Sequence, residues 1–107
     1  MVACLCAQWC GTCNEYAPLF RQLAAEFPHV QFRWVDIEDE SELVDPVDIE
    51  NFPTVLLAMD GKPYFFGTLL PHLETLRRLV TDMLQNRANT TRFPDEVSGL
   101  AQRLLGT

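Results

Sequence analysis

The stretch Ala7-Gln8-Trp9-Cys10-Gly11-Thr12-Cys13 decides how this chain is read. Before it, Val2-Ala3-Cys4-Leu5-Cys6-Ala7 is a continuous apolar run, the pattern of a strand buried on both faces. After it, Tyr16, Leu19, Phe20, Leu23, Ala24 and Phe27 recur at spacings of three and four, which predicts an amphipathic helix from Cys13 to Phe27. Cys10 and Cys13 therefore fall where a strand hands over to a helix. A cysteine at the first turn of a helix meets unpaired backbone N–H groups and the positive end of the helix dipole, and both stabilise a thiolate, the nucleophilic form. The two-residue spacing brings the second sulfur round one turn, close enough to close a small disulfide and to release a mixed-disulfide intermediate.

Working outward, Pro18 interrupts the helical pattern and predicts a bend about one turn after Cys13, because proline removes one ladder bond. Val30 to Ile37 is rich in β-branched and aromatic residues and predicts a second strand, followed by a short irregular helix around Ser41 to Val44. Thr54 to Met59 predicts a third strand, Asp60-Gly61 a turn, and Pro63 to Phe66 a short antiparallel partner. Leu73, Leu76, Leu79, Val80, Met83 and Leu84 mark a closing helix from about Pro71 to Gln85. The order β-α-β-α-β-β-α is that of an α/β protein with a mixed sheet flanked by helices. Asn89-Thr90-Thr91 reads as a polar linker, and Val97, Leu100, Ala101, Leu104 and Leu105 predict an extra amphipathic helix over Pro94 to Leu105. Its apolar stripe is expected to dock on the domain itself, with a dimer contact or a partner surface as the alternatives. The expected division is residues 1–88 as the domain and 89–107 as linker and C-terminal helix.

The chain has 107 residues, 48% hydrophobic and 21% charged, enough to bury one core. A net charge of −7 argues against nucleic acid or an anionic membrane as partner. No apolar run approaches the roughly 20 residues of a membrane span, and Val2 to Ala7 lacks the basic flank of a signal peptide. All four cysteines lie between positions 4 and 13, too close together to staple a secreted fold, so they read as local chemistry in a cytoplasmic protein. Export remains the alternative if the chain is part of a longer precursor.

The chain resembles the thioredoxin family through Trp9-Cys10-Gly11-Thr12-Cys13, through Tyr16-Ala17-Pro18, and through Phe52-Pro53-Thr54 before the third strand. The resemblance covers roughly residues 1 to 86. It implies a thioredoxin-like fold and a thiol–disulfide oxidoreductase acting on protein substrates. Cys10 would be the exposed attacking thiol and Cys13 the buried resolving thiol, with Trp9, Gly11, Thr12 and Pro53 as active-site support. The Phe52–Pro53 bond would be cis, and Trp9, Phe52 and Pro53 would meet the substrate. Neither metal nor organic cofactor is implied, and electrons would pass to or from a separate redox partner that the sequence does not name.

Departures from the family pattern are equally specific. Six residues before Cys10, where thioredoxins carry a buried aspartate, stands Cys4, and the lysine that partners that aspartate falls at Trp34. The dipeptide between the cysteines is Gly-Thr instead of Gly-Pro. Cys4 and Cys6, two apart on a strand, share one face and read first as small core hydrophobes. Exchange of either with the active disulfide, or a four-thiolate zinc site, are the competing readings. Trp9 reads as an exposed platform and Trp34 as core, while His29 and His72 read as solvent-facing. Eight of the fifteen acids lie between Asp36 and Glu50 with no Lys or Arg among them, a solvated acidic face that also suits steering of basic partners. A non-enzymatic binding or adaptor module on the same fold is the alternative function, kept open by the missing aspartate.

Overall fold

The computed structural model describes residues 1–7, 9–44, 53–59, 62–68, 72–85 and 93–105. Its elements run β1 (Val2–Cys6), α1 (Gly11–Glu26), β2 (Phe32–Asp36), α2 (Ser41–Val44), β3 (Thr54–Met59), β4 (Lys62–Thr68), α3 (Leu73–Gln85) and α4 (Asp95–Leu105). The apolar run of β1 takes an inner place in a four-stranded sheet of order β2-β1-β3-β4, parallel to β2 and antiparallel to β3. Backbone bonds from Val2 N–H to the Gln31 carbonyl at 2.8 Å and from Ile37 N–H to the Cys6 carbonyl at 2.9 Å carry the parallel pairing past both strand ends.

Every residue of β1 is buried because helices cover both faces of the sheet. Val2, Cys4 and Cys6 point to one face, where they pack with Val55 and Leu57, with Tyr16, Phe20 and Leu23 of α1, and with Leu76, Val80 and Met83 of α3. Ala3 and Leu5 point the other way, joining Val35, Leu56 and Ala58 beneath Val97, Leu100, Ala101 and Leu104 of α4. Strand alternation thus sorts a uniformly apolar segment into two cores, with Cys4, Cys6 and Cys13 all in the first. The C-terminal helix docks on the sheet of its own chain. Arg33 of β2 secures its end by donating from Nη1 to the Leu104 carbonyl at 3.0 Å while Nη2 meets Glu40 at 3.0 Å. Such a bond satisfies one of the carbonyls that a helix C-terminus leaves without an internal donor.

Helix α1 starts two residues earlier than its apolar period suggests and continues through Pro18. Its buried residues Cys13, Tyr16, Phe20 and Leu23 hold one face to the sheet on both sides of the proline, which offsets the missing ladder bond. Arg77 ties α3 to α1 with Nε donating to Glu26 Oε1 at 2.8 Å and Nη2 to Oε2 at 2.7 Å, a pairing that lowers the Glu26 carboxyl from its ordinary range.

Two expectations need correction. Strand β4 is not short but seven residues long, and a register shift between Leu57 and Ala58 absorbs the irregular pairing opposite Pro63. Proline is tolerated there because β4 is an edge strand, with one side free of ladder bonds. Trp34 is not core: it is 37% exposed. It stands on edge strand β2, its ring edge-on to Phe20 of α1 at a centroid distance of 5.7 Å. The Asp60-Gly61 turn and Pro71 lie outside the described residues.

Candidate redox site

Cys10 is the N-cap of α1, with extended backbone angles (φ −87°, ψ 116°). Its N–H donates to the Ala7 carbonyl at 3.1 Å, and its own carbonyl accepts the first helical bond from Asn14 at 3.2 Å. Its side chain makes no capping bond, and no acidic residue sits in the first turn to offset the positive end of the helix. The thiol is free and half-buried. Beside it Gly11 is exposed, with nothing within 4 Å of where a Cβ would stand, so the approach to Cys10 is open. Thr12 is half-buried at the same turn.

Cys13, one turn further on, points down to the sheet and is 1% exposed. There it is linked not to Cys10 but to Cys6 of β1, also 1% exposed, with a Cα–Cα distance of 5.8 Å. Cys4, two residues back on the same face, brings its sulfur to 3.5 Å from that of Cys6. Burial pushes the Cys4 thiol up from 9.0 to about 12, so it stays protonated. Cys4 is thus a buried thiol where the family places an aspartate, and its register partner is Trp34, as the family comparison of those positions suggests. Tyr16 lies in the same cluster, and its hydroxyl is buried with no hydrogen-bond partner among the described residues. Burial first, and the nearby Cys4 second, raise its proton affinity above the ordinary phenol value.

Trp9 stands over this end of the sheet, 69% exposed. Its indole Nε1–H donates to Glu38, whose own N–H is held by Asp36 Oδ1 at 2.9 Å, with Asp39 N–H on the same oxygen at 3.3 Å. Part of the acidic segment is therefore structural: Asp36 builds the turn, Glu38 holds Trp9, and Glu40 meets Arg33. Pro53 is buried immediately before β3. Leu5 pairs with Thr54, so continuing the antiparallel register by one residue sets Pro53 opposite Cys6. Phe52 lies outside the described residues. His29 and His72 are both exposed. Among the described residues no three His, Cys, Asp or Glu side chains are grouped to hold a metal, and no helix is long and apolar enough to cross a membrane.

Trp9, Cys10, Cys13 and Pro53 stand out in the sequence, and exchange of Cys4 or Cys6 with the active disulfide is one of its competing readings. Which of the two meets Cys13 is not legible there, since both share the face toward which the helix after Cys13 turns its apolar side. Glu38 carried no signal beyond the acidic run, and Tyr16 read as an ordinary core aromatic.

A half-exposed thiol at a helix start, above buried sulfurs at the end of a mixed sheet layered between helices, defines a protein of thiol–disulfide exchange. The family model described as Thioredoxin matches residues 1–77. Thioredoxin of Chlamydia trachomatis is 33% identical over 75 residues, covering 70% of this chain and 74% of the relative. Thioredoxin of Chlamydia pneumoniae is 36% identical over 55 residues, 51% of this chain and 54% of the relative. The crystal structure of thioredoxin from Trypanosoma brucei brucei superposes with a TM-score of 0.70 at 30% identity, covering 79% of this chain and 74% of that one. The X-ray structure of Fasciola hepatica thioredoxin gives a TM-score of 0.68 at 32% identity, covering 75% of this chain and 76% of that one. The chain belongs to the thioredoxin family. It is a thiol–disulfide oxidoreductase whose substrates are protein disulfides, and this membership does not favour the binding-module alternative.

Proposed function

We propose that Cys10 is the attacking thiol and Cys13 the resolving thiol of this oxidoreductase. The observation that carries the reading is their unequal exposure: Cys10 is free and open at the helix N-cap, and Cys13 is buried one turn below. The Cys10 thiolate attacks one sulfur of a substrate disulfide, forming a mixed disulfide and expelling the other substrate sulfur as a thiolate. Cys13, as thiolate, then attacks the Cys10 sulfur and releases the second substrate thiolate. Two electrons have passed to the substrate and a Cys10–Cys13 disulfide remains, to be reduced by a separate partner.

Trp9, held by Glu38, offers a fixed apolar platform beside the reacting sulfur. Pro53 and the Phe52 backbone, across a cis Phe52–Pro53 bond, would receive the extended substrate segment; cis is cheap only before proline. Gly11 keeps the approach clear and Thr12 completes the turn. We assign this chemistry to residues 1–88 and treat 89–107 as a linker and C-terminal helix, of which α4 covers the other face of the sheet. The clustering of all four cysteines fits a reducing compartment, the cytoplasm, in place of a secreted disulfide scaffold.

Reduction of a model protein disulfide, with dithiothreitol as electron source, tests the roles. Cys10→Ser is expected to fall to the uncatalysed rate, and Cys13→Ser to accumulate a mixed disulfide on Cys10. A Cys10→Ser protein that keeps its rate removes the assignment.

A further inference from the structure

We infer that Cys6 is a second resolving thiol, which takes over Cys13 from Cys10 and so returns Cys10 to the thiolate form while the protein remains oxidised. The inference rests on the assignment of Cys10 and Cys13 as the exchanging pair. Three observations place the chemistry. Cys6 and Cys13 are joined across the β1–α1 junction at a Cα–Cα distance of 5.8 Å, inside the range that disulfides span without moving the backbone. Cys10, half-buried, packs against the same cluster as both and keeps a free thiol. The cluster also holds two polar groups beside the buried sulfurs: the Cys4 thiol, 3.5 Å from the Cys6 sulfur, and the buried Tyr16 hydroxyl without a hydrogen-bond partner among the described residues.

The step balances without an external oxidant. In the Cys10–Cys13 disulfide left by substrate reduction, the Cys6 thiolate attacks the Cys13 sulfur. The Cys6–Cys13 bond forms, the Cys10–Cys13 bond breaks, and the electron pair leaves on Cys10. The proton given up by Cys6 goes to solvent, and Cys10 is left as the thiolate. Oxidation level is unchanged and only the location of the disulfide differs. Cys6 and Cys13 are too deeply buried for a protein substrate to touch, so this exchange is open to a neighbouring cysteine and closed to outside thiols. Cys4, whose thiol holds its proton, is a hydrogen-bonding neighbour to the Cys6 sulfur and takes no part in bond exchange. The consequence is a two-electron-oxidised protein that still presents a reactive Cys10 at its surface.

Chymotryptic mapping of the whole chain tests this directly, because cleavage after Leu5, Trp9 and Tyr16 separates Cys4, Cys6 and the Cys10–Cys13 segment. The protein is oxidised with one equivalent of diamide, quenched in acid, alkylated and digested. Residues 6–9 joined by a disulfide to residues 10–16, with Cys10 alkylated, are expected from the wild type, and the same linkage from Cys10→Ser. Cys6→Ala should instead give residues 10–16 closed internally and unalkylated. Native labelling with iodoacetamide is expected to modify Cys10 of the oxidised wild type at least tenfold faster than Cys10 of oxidised Cys6→Ala. Alkylated Cys6 throughout the oxidised wild type and Cys10→Ser overturns the inference, and that result needs no destabilised variant. Protein-disulfide reduction by the same preparations separates the two failures. Full catalysis with Cys6 alkylated removes the relay and leaves the Cys10–Cys13 pair standing. A Cys6–Cys13 linkage without catalysis supports the buried bond and places the failure with Cys10 as attacking thiol.

Discussion

At the scale of single residues, the sulfur-bearing face of the sheet keeps its neutral groups neutral. The buried Tyr16 hydroxyl makes no hydrogen bond among the described residues, and an unpaired buried hydroxyl costs on the order of 1–3 kcal/mol. Tyr16→Phe is therefore expected to raise unfolding stability by about 1 kcal/mol, read from the urea midpoint at unchanged slope. Cys4 has its thiol raised from 9.0 to about 12, and Tyr16 is raised in the same direction. The folded state then holds protons that the unfolded chain releases in alkali, so stability falls as pH rises. Their contribution is fully present below the unfolded Cys4 value of 9.0 and is lost as pH climbs from 9.0 toward about 12. Urea midpoints of the reduced protein from pH 8 upward should decline with a slope that is shallower in Cys4→Ala than in the wild type. A slope unchanged by that substitution would place the alkaline loss elsewhere.

At the scale of elements, the two faces of β1 explain why one helix positions chemistry and another does not. Helix α1 carries Cys13 to Cys6 because both fall on the face where Tyr16, Phe20 and Leu23 anchor it. Helix α4 packs in the other cluster, with Ala3, Leu5, Val35, Leu56 and Ala58, and with Phe66 of β4 beside it. Leu100 is fully buried at the centre of that second face. Leu100→Ala is expected to cost about 2–5 kcal/mol, the range for a leucine cavity in a packed core. Because none of the described α4 side chains belongs to the cluster containing the cysteines, the kcat/KM for protein-disulfide reduction should stay within about twofold of wild type under conditions where the variant is folded. Thermal unfolding and turnover, measured together, separate these expectations: a loss of activity larger than the folded fraction explains would mean that α4 shapes the site.

Across the whole molecule, charge and layering set how the site meets its partners. The net charge is −7, and the acids from Asp36 onward begin beside Trp9, through the Glu38 bond to its indole. Basic protein substrates should therefore associate faster than acidic ones. Raising ionic strength from about 0.01 to 0.15 M shortens the screening length from roughly 30 to 8 Å and should lower kcat/KM several-fold for a basic substrate while leaving kcat unchanged. Equal salt dependence for acidic and basic substrates would deny the steering. The sequence by itself determined the α/β order, the place of Cys10 and Cys13 at the strand-to-helix junction and the family, because these rest on local signals: an apolar run, a helical period, a two-residue cysteine spacing and Pro53 before a strand. Strand β4 extends beyond its aromatic centre through Lys62, Gly67 and Thr68, which pairing with β3 holds extended without an apolar signal of their own. Trp34 was misplaced because hydrophobicity does not reveal that its strand lies at the sheet edge. Only the tertiary structure decided which sulfur faces which. Cys6 is seven residues from Cys13 along the chain, and the two are joined because β1 points Cys6 toward the helix that carries Cys13. That meeting depends on sheet order and on the packing of α1 across the sheet, quantities that no local window of sequence contains.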